Sequence, residues 1–256
     1  MHHNERPLAS PKRNAKAGIG RREALALIGA TGAALAAGCA GELPTSPTEV
    51  SGAAATTATT AGTTTGGGVA SGAACAVTPT ETVGPYPSLI DLFRSDIRED
   101  KSGTQLDLAI TVVNTATSCA PLAGVNVEIW QCDATGNYSQ YGGERAKTYL
   151  RGIQTTDANG QVRFTTVYPG WYQGRATHIH VEVTRNGQSL KVTQIAFPDS
   201  INNEVHGTGV YASRGSNPTT NTRDMIFADS INSEMASVAG TPSSGYSATF
   251  TVGLTA

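Results

Sequence analysis

Residues 169–183 read Pro169-Gly170-Trp171-Tyr172-Gln173-Gly174-Arg175-Ala176-Thr177-His178-Ile179-His180-Val181-Glu182-Val183. The second half alternates polar and apolar residues, the pattern of a β-strand in which residues i and i+2 face the same side. His178 and His180 then point together, while Ile179, Val181 and Val183 point the other way into apolar packing. Two imidazoles on one face of a rigid strand form a ready metal clamp. Upstream, Tyr172 sits in a Pro-Gly turn from which a phenol can reach the same spot.

Outward from this strand the same signals recur. Leu106, Leu108, Ile110 and Val112 alternate over 105–114, and Val125, Val127 and Ile129 repeat the pattern up to Trp130. Val162 and Phe164 give another strand, as do Leu190, Val192, Gln194 and Ala196 on one face with Lys191, Thr193 and Ile195 on the other. Residues 246–252 close the series. Turn chemistry separates them: Asp133-Ala134-Thr135-Gly136-Asn137, Asp157-Ala158-Asn159-Gly160 and Asn186-Gly187. Thr78 to Pro87, with Pro79, Pro85 and Pro87, reads as an extended strap. The chain from Tyr138 to about Arg151 reads as a polar loop. Residues 198–232 read as loop with a short helix at 200–205, and His206 there is expected to face solvent. Short, closely spaced strands with long loops predict an all-β fold, a β-sandwich.

The first 74 residues differ in kind. Arg6, Lys12, Arg13, Lys16, Arg21 and Arg22 precede an uncharged run from Ala24 to Gly38. At about 15 residues this run is shorter than the ~20 needed to span a bilayer. A basic start, a short apolar run and small residues at its end predict an export signal over 1–39. Arg21-Arg22 resembles a twin-arginine signal. Leu35-Ala36-Ala37-Gly38-Cys39 resembles a lipoprotein cleavage site, so a lipid anchor at Cys39 and simple cleavage stand as alternatives. Residues 40–74 are nearly all Gly, Ser, Thr, Ala and Pro, a flexible linker by composition. The folded domain is expected over 75–256. Charged residues make up 15% of the chain and the net charge is -2, which gives no electrostatic case for nucleic acid.

An exported protein can form disulfides. Cys75, Cys119 and Cys132 allow three pairings; Cys75 with Cys119 is preferred because both lie in loop-like stretches, leaving Cys132 as a buried thiol. Trp130 and Trp171 read as packing residues, and Trp171 is also a candidate to line a pocket beside Tyr172. Glu182, on the histidines' face, either orients a ligand imidazole or is a solvated charge.

Tyr138 opens a loop just past a strand end. Two phenolates with two neutral imidazoles make a hard, largely anionic donor set that suits Fe(III), and a bound cation can deprotonate its phenol ligands. Gly84-Pro85-Tyr86, Val127-Glu128-Ile129-Trp130-Gln131-Cys132-Asp133-Ala134 with Gly136 and Tyr138, Arg151-Gly152, Thr156-Asp157, Gly160, Phe164, and Pro169 through His180 together resemble the intradiol ring-cleavage dioxygenases, the family of the protocatechuate and catechol dioxygenases. The resemblance runs from about Cys75 to Phe227 or beyond. It implies iron ligands at Tyr138, Tyr172, His178 and His180, with Tyr172 the tyrosinate that leaves when substrate chelates and Tyr138 the one that stays. It implies a charge-stabilising role for Arg175, a pocket-lining Gln194 and a substrate-covering segment at Gly84-Pro85. The implied function is non-haem Fe(III) cleavage of a catechol-type ring by O2 to a muconate-type diacid. The chain lacks both the helical N-terminal region of catechol dioxygenases and the partner-subunit pattern of protocatechuate enzymes, which leaves monomer and dimer open. The rival readings are a non-catalytic secreted β-sandwich binding module and a zinc hydrolase built on His178 and His180.

Overall fold

The computed structural model describes residues 75–256. The expected export signal, with its twin-arginine pair and Cys39, and the linker over 40–74 lie outside the described residues. Nine strands form two sheets. They are β1 Gln105–Asn114, β2 Ala120–Pro121, β3 Asn126–Trp130, β4 Arg151–Thr155, β5 Gln161–Val167, β6 His178–Arg185, β7 Gln188–Ala196, β8 Ser237–Thr241 and β9 Gly245–Leu254. One sheet runs β2-β1-β9-β8 with β5 also paired to β1; the other runs β4-β3-β6-β7. The fold is an all-β sandwich with long loops.

The sandwich follows from period-2 patterning. Val127 and Ile129 of β3, Ile179, Val181 and Val183 of β6 and Ile195 of β7 meet Leu106, Leu108, Ile110, Val112, Phe164 and Val252 of the other sheet in one buried core. Each such side chain contributes about 1.5–3 kcal/mol on full burial. Register sets the opposite face just as firmly: His180 lies across from Trp130 on β3 and Gln194 on β7, and His178 across from Ala196.

Three features depart from the sequence reading. The polar loop ends at Arg151 as expected, but the residues that follow it form a strand the sequence reading did not anticipate, β4, which pairs with β3 from Asn126 to Trp130. Its alternation is hidden because Gly152 takes an inward position: a Cβ there would stand 2.5 Å from Ile97 Cγ2 and 2.9 Å from the Arg94 carbonyl oxygen. β8, Ser-Val-Ala-Gly-Thr, is an edge strand with almost no apolar signature. His206, expected to face solvent, is fully buried at the end of helix α1 (Asp199–His206). It packs beside Tyr168 and Tyr211, with Nε2 3.3 Å from the Pro169 carbonyl oxygen.

Cys75 and Cys119 form a disulfide across 44 residues, and Cys132 is a buried free thiol. From Thr78 the chain crosses the outer face of the four-stranded sheet as a strap. The Glu81 N–H donates to Val192 on β7 at one end. At the other, the Ile153 N–H on β4 donates to Leu92, and the Arg94 N–H donates to Ile153. Pro79, Pro85 and Pro87 lack the N–H a strand ladder needs, so the strap lies over the sheet without joining it along its length.

Candidate metal centre

The outer face of the four-stranded sheet carries Trp130, Arg151, His178, His180 and Gln194, all buried beneath irregular chain. His178 Nδ1–H donates to the Ala176 carbonyl at 2.6 Å, which fixes the tautomer and leaves Nε2 with its lone pair free. That Nε2 lies 3.1 Å from His180 Nε2 and 3.3 Å from Tyr172 Oη. Burial pushes the His178 imidazole down to about 3, with Arg175 adding to the shift, and drives His180 well below its usual value. Both rings are therefore neutral near pH 7, the form in which imidazole binds a metal.

Trp130 stacks flat on His180, with centroids 4.9 Å apart and planes 2° apart. Gly84 of the strap also comes so close to this ring that a Cβ would stand 2.7 Å from His180 Cε1. Its φ of +73° also suits glycine. Tyr138 sits beyond the end of β3, its ring 5.7 Å from that of Tyr172 and 6.4 Å from His180. Its hydroxyl is buried with no hydrogen-bond partner, as is His180 Nδ1. Burial raises the phenol of Tyr138 well above its ordinary value and raises Tyr172 as well; Arg175 pulls both back down.

These observations test whether a metal ion fits. Nitrogen donors bound about 2.1 Å from one ion at a right angle stand about 3 Å apart. The spacing of His178 Nε2 from His180 Nε2 and from Tyr172 Oη has that scale, so the three atoms can all serve one cation once the Tyr172 phenol gives up its proton to it. The orphaned Tyr138 hydroxyl is a fourth donor beside them. Among the described residues, no group of three or more His, Cys, Asp or Glu side chains is placed to hold a metal. The donors that accompany the histidine pair are phenols, so the set fits a hard ferric ion and gives the zinc reading no third ligand of the usual kind.

Arg175 lies between turn and strand. Its Nε donates to both oxygens of Asp224, at 2.8 and 3.1 Å, and its Nη2 donates to Gln194 Oε1 at 2.5 Å. Gln194 Nε2 in turn donates to the Thr82 carbonyl, tying strap, β7 and arginine together. Asp224 is fully buried and also accepts from the Ala176 and Ile226 N–H groups. Sequence reasoning missed Asp224, because a lone aspartate 49 residues from Arg175 carries no local signal. It named Arg151 and Tyr86 only as residues of the family resemblance and gave neither a role; Arg151 sits behind Tyr138, and Tyr86 stacks on Tyr138 at 4.6 Å.

The structure brings Tyr138, Tyr172, His178, His180, Gly84 and the Arg175–Gln194 pair together. It places the Trp171 ring elsewhere, under Arg214 at 4.2 Å with its N–H donated to the Gly215 carbonyl. Pro85, next to Gly84 and Tyr86, is exposed on the strap. Glu182 is buried on the histidines' face, across from Glu128 in the register.

A family profile described as "Dioxygenase" matches residues 87–206. An intradiol ring-cleavage dioxygenase from Tetranychus urticae is 30% identical and superposes with a TM-score of 0.64. The match covers 71% of this chain and 95% of that one. Catechol 1,2-dioxygenase from Candida albicans is 34% identical over 100 residues, covering 32% of this chain and 33% of the relative. The corresponding enzyme of Acinetobacter baylyi is 29% identical over 143 residues, covering 46% and 45%. The chain thus spans between a third and about half of the length of these curated relatives.

Proposed function

The chain belongs to the intradiol ring-cleavage dioxygenase family, and from that premise we propose that it is an exported, non-haem ferric enzyme that opens catechol-type rings between the two hydroxylated carbons. One diol and one O2 give one muconate-type diacid. The bond between the hydroxylated carbons breaks, each of those carbons becomes a carboxyl group, and both atoms of O2 are retained in the product. The observation that carries the proposal is the convergence of His178 Nε2, His180 Nε2 and Tyr172 Oη within 3.1–3.3 Å beside an unpartnered Tyr138 hydroxyl.

Tyr138, Tyr172, His178 and His180 would hold a ferric ion, which would supply the Lewis acidity that activates a diol toward O2. The protein's own groups do the rest. Tyr172 stands on the Gly170–Gly174 turn rather than on a strand, so its Oη is the donor free to swing away and take a substrate hydroxyl proton. His178 and His180 stay fixed by the ladder on both sides of β6. Arg175, held by Asp224 and Gln194, keeps a positive charge beside the cluster where negative charge develops on the ring; such preorganised charge is worth most in a site closed to water. The strap, with Gly84 against His180, excludes water from one side.

Export is supported by the Arg21-Arg22 signal and by the Cys75–Cys119 disulfide, which suits an oxidising compartment. A lipid anchor at Cys39 and simple cleavage stand as alternatives within this reading, and the intact mass of the mature protein separates them. The substrate is an aromatic diol, with catechol, hydroxyquinol, protocatechuate and lignin-derived diols as the panel. Oxygen uptake with this panel tests the activity. One O2 consumed per diol, with a diacid product carrying both atoms of isotope-labelled dioxygen, supports it. Uptake with none of the diols by iron-replete protein contradicts it and favours a binding module.

A further inference from the structure

Arg151 is 1% exposed, on a strand, in the interior of the outer face. A buried guanidinium is tolerated where its N–H groups are satisfied. Its hydrogen bonds go to oxygens on two segments. Nε donates to Ser139 Oγ at 2.9 Å and Nη2 to the Ser139 carbonyl at 2.7 Å. Nη1 donates to the Tyr86 carbonyl at 2.9 Å and to Ser88 Oγ at 3.4 Å. These four acceptors are hydroxyl and carbonyl oxygens, so the arginine acts here as a rigid fork bridging two backbones.

Both segments belong to the site. Ser139 follows Tyr138 directly, and Tyr86 and Ser88 are strap residues two and four positions after Gly84, which rests against His180. The guanidinium carbon lies 5.8 Å from the Tyr138 ring centroid and 5.5 Å from that of Tyr141. Tyr86 stacks on Tyr138 with planes 27° apart. Two neighbouring bonds reinforce the junction: Tyr141 Oη donates to the Pro87 carbonyl, and the Leu89 N–H donates to Gln140 Oε1, each at 2.7 Å.

We propose that Arg151 is a positioning residue: it fastens the strap to the Tyr138 loop and so fixes the height of the strap above the metal-binding face, the space into which a substrate ring must fit. The part that concerns substrate rests on the dioxygenase reading; the fastening of the strap does not.

The test uses the full chain with Arg151→Met, which keeps bulk without donors, and Arg151→Lys, which keeps charge without the fork. In metal-free protein, hydrogen exchange of peptides covering 82–93 is expected to quicken about tenfold or more in both variants, while peptides of β6 keep wild-type protection. In iron-loaded protein, KM for catechol is expected to rise about tenfold with kcat within about threefold, because the loss falls on holding the ring. Unchanged exchange in the strap overturns the proposal, and so does equal quickening of strap and β6, which marks a general loosening of the fold. If Arg151→Met does not fold, Arg151→Lys alone decides. Quickened strap exchange in a protein that never gains a visible iron chromophore upholds the fastening and sinks the dioxygenase reading, so the two failures are distinguishable.

Discussion

The two faces of the β4-β3-β6-β7 sheet are both buried, and they are buried by different means. The inner face, with Val127, Ile129, Ile179, Val181, Val183 and Ile195, is covered by the other sheet. The outer face, with Trp130, Arg151, His178, His180 and Gln194, is covered by the strap and by loops that reach it from residues far away in sequence. Regular packing buries apolar side chains to stabilise the fold. Irregular chain here buries polar ones and leaves some without partners, namely His180 Nδ1, the Tyr138 hydroxyl and Trp130 Nε1. Such groups are costly to fold around. Tyr149 Oη, His206 Nδ1 and Asn221 Oδ1 are unpartnered elsewhere, but only on this face do such atoms gather beside the histidine pair, where stability yields to function.

Substitutions can break this contrast. The largest effect is expected on the outer face. His180→Ala should lower iron retention about a hundredfold or more and abolish ring cleavage, while the melting temperature of the metal-free protein stays near wild type, as metal analysis and calorimetry can check. One residue away, Ile179→Ala should do the reverse. It removes a fully buried side chain from the core and should destabilise by about 2–5 kcal/mol, yet the folded protein should bind iron with an unchanged visible spectrum. If Ile179→Ala removes iron binding in folded protein, the two faces are not independent.

A smaller loss is expected at Asp224. Asp224→Asn keeps the shape but weakens the hold on Arg175 Nε and on the Ala176 N–H. It should lower kcat about 10–100-fold with iron still bound, read from initial rates at saturating catechol. A wild-type kcat would remove Arg175 positioning from the account.

The smallest effect concerns pH, away from the cluster of tyrosines and histidines. Burial raises Glu234 to about 7, against an ordinary value of 4.5. Between those values the folded state keeps a proton that the unfolded chain has released, so stability falls as pH rises from about 4.5 to 7 and levels off above it. Glu234→Gln removes that dependence. Its melting temperature should match wild type near pH 4.5 and exceed it by several degrees or more at pH 8. An equal offset at both pH values would show that Glu234 is ionised in the fold throughout.

Much of this contrast was legible in residues 178–183, because an alternating strand writes both of its faces into the sequence. The inner face could be read from its valines and isoleucines, and the histidine face from its spacing. β4 was not legible, since Arg151 and Gly152 obey long-range demands: a fork to Ser139 and Tyr86, and room for Ile97. His206 looked like a loop residue because the tyrosines that bury it, Tyr168 and Tyr211, arrive from a strand end and a separate turn. Asp224 was invisible for the same reason. Local pattern reports what a residue prefers, whereas the covering of the outer face is settled by chain that closes over it from a distance.

The central claim is that the outer face holds one ferric ion through Tyr138, Tyr172, His178 and His180. The most direct test is the visible absorption and metal content of the purified, iron-loaded protein, compared with Tyr138→Phe and Tyr172→Phe. The account expects one iron per chain, a red-brown tyrosinate-to-iron band in wild type, and a weakened, shifted band in each single variant that vanishes in the double variant. A colourless wild-type protein with stoichiometric zinc, or a band that survives the double substitution, would contradict it.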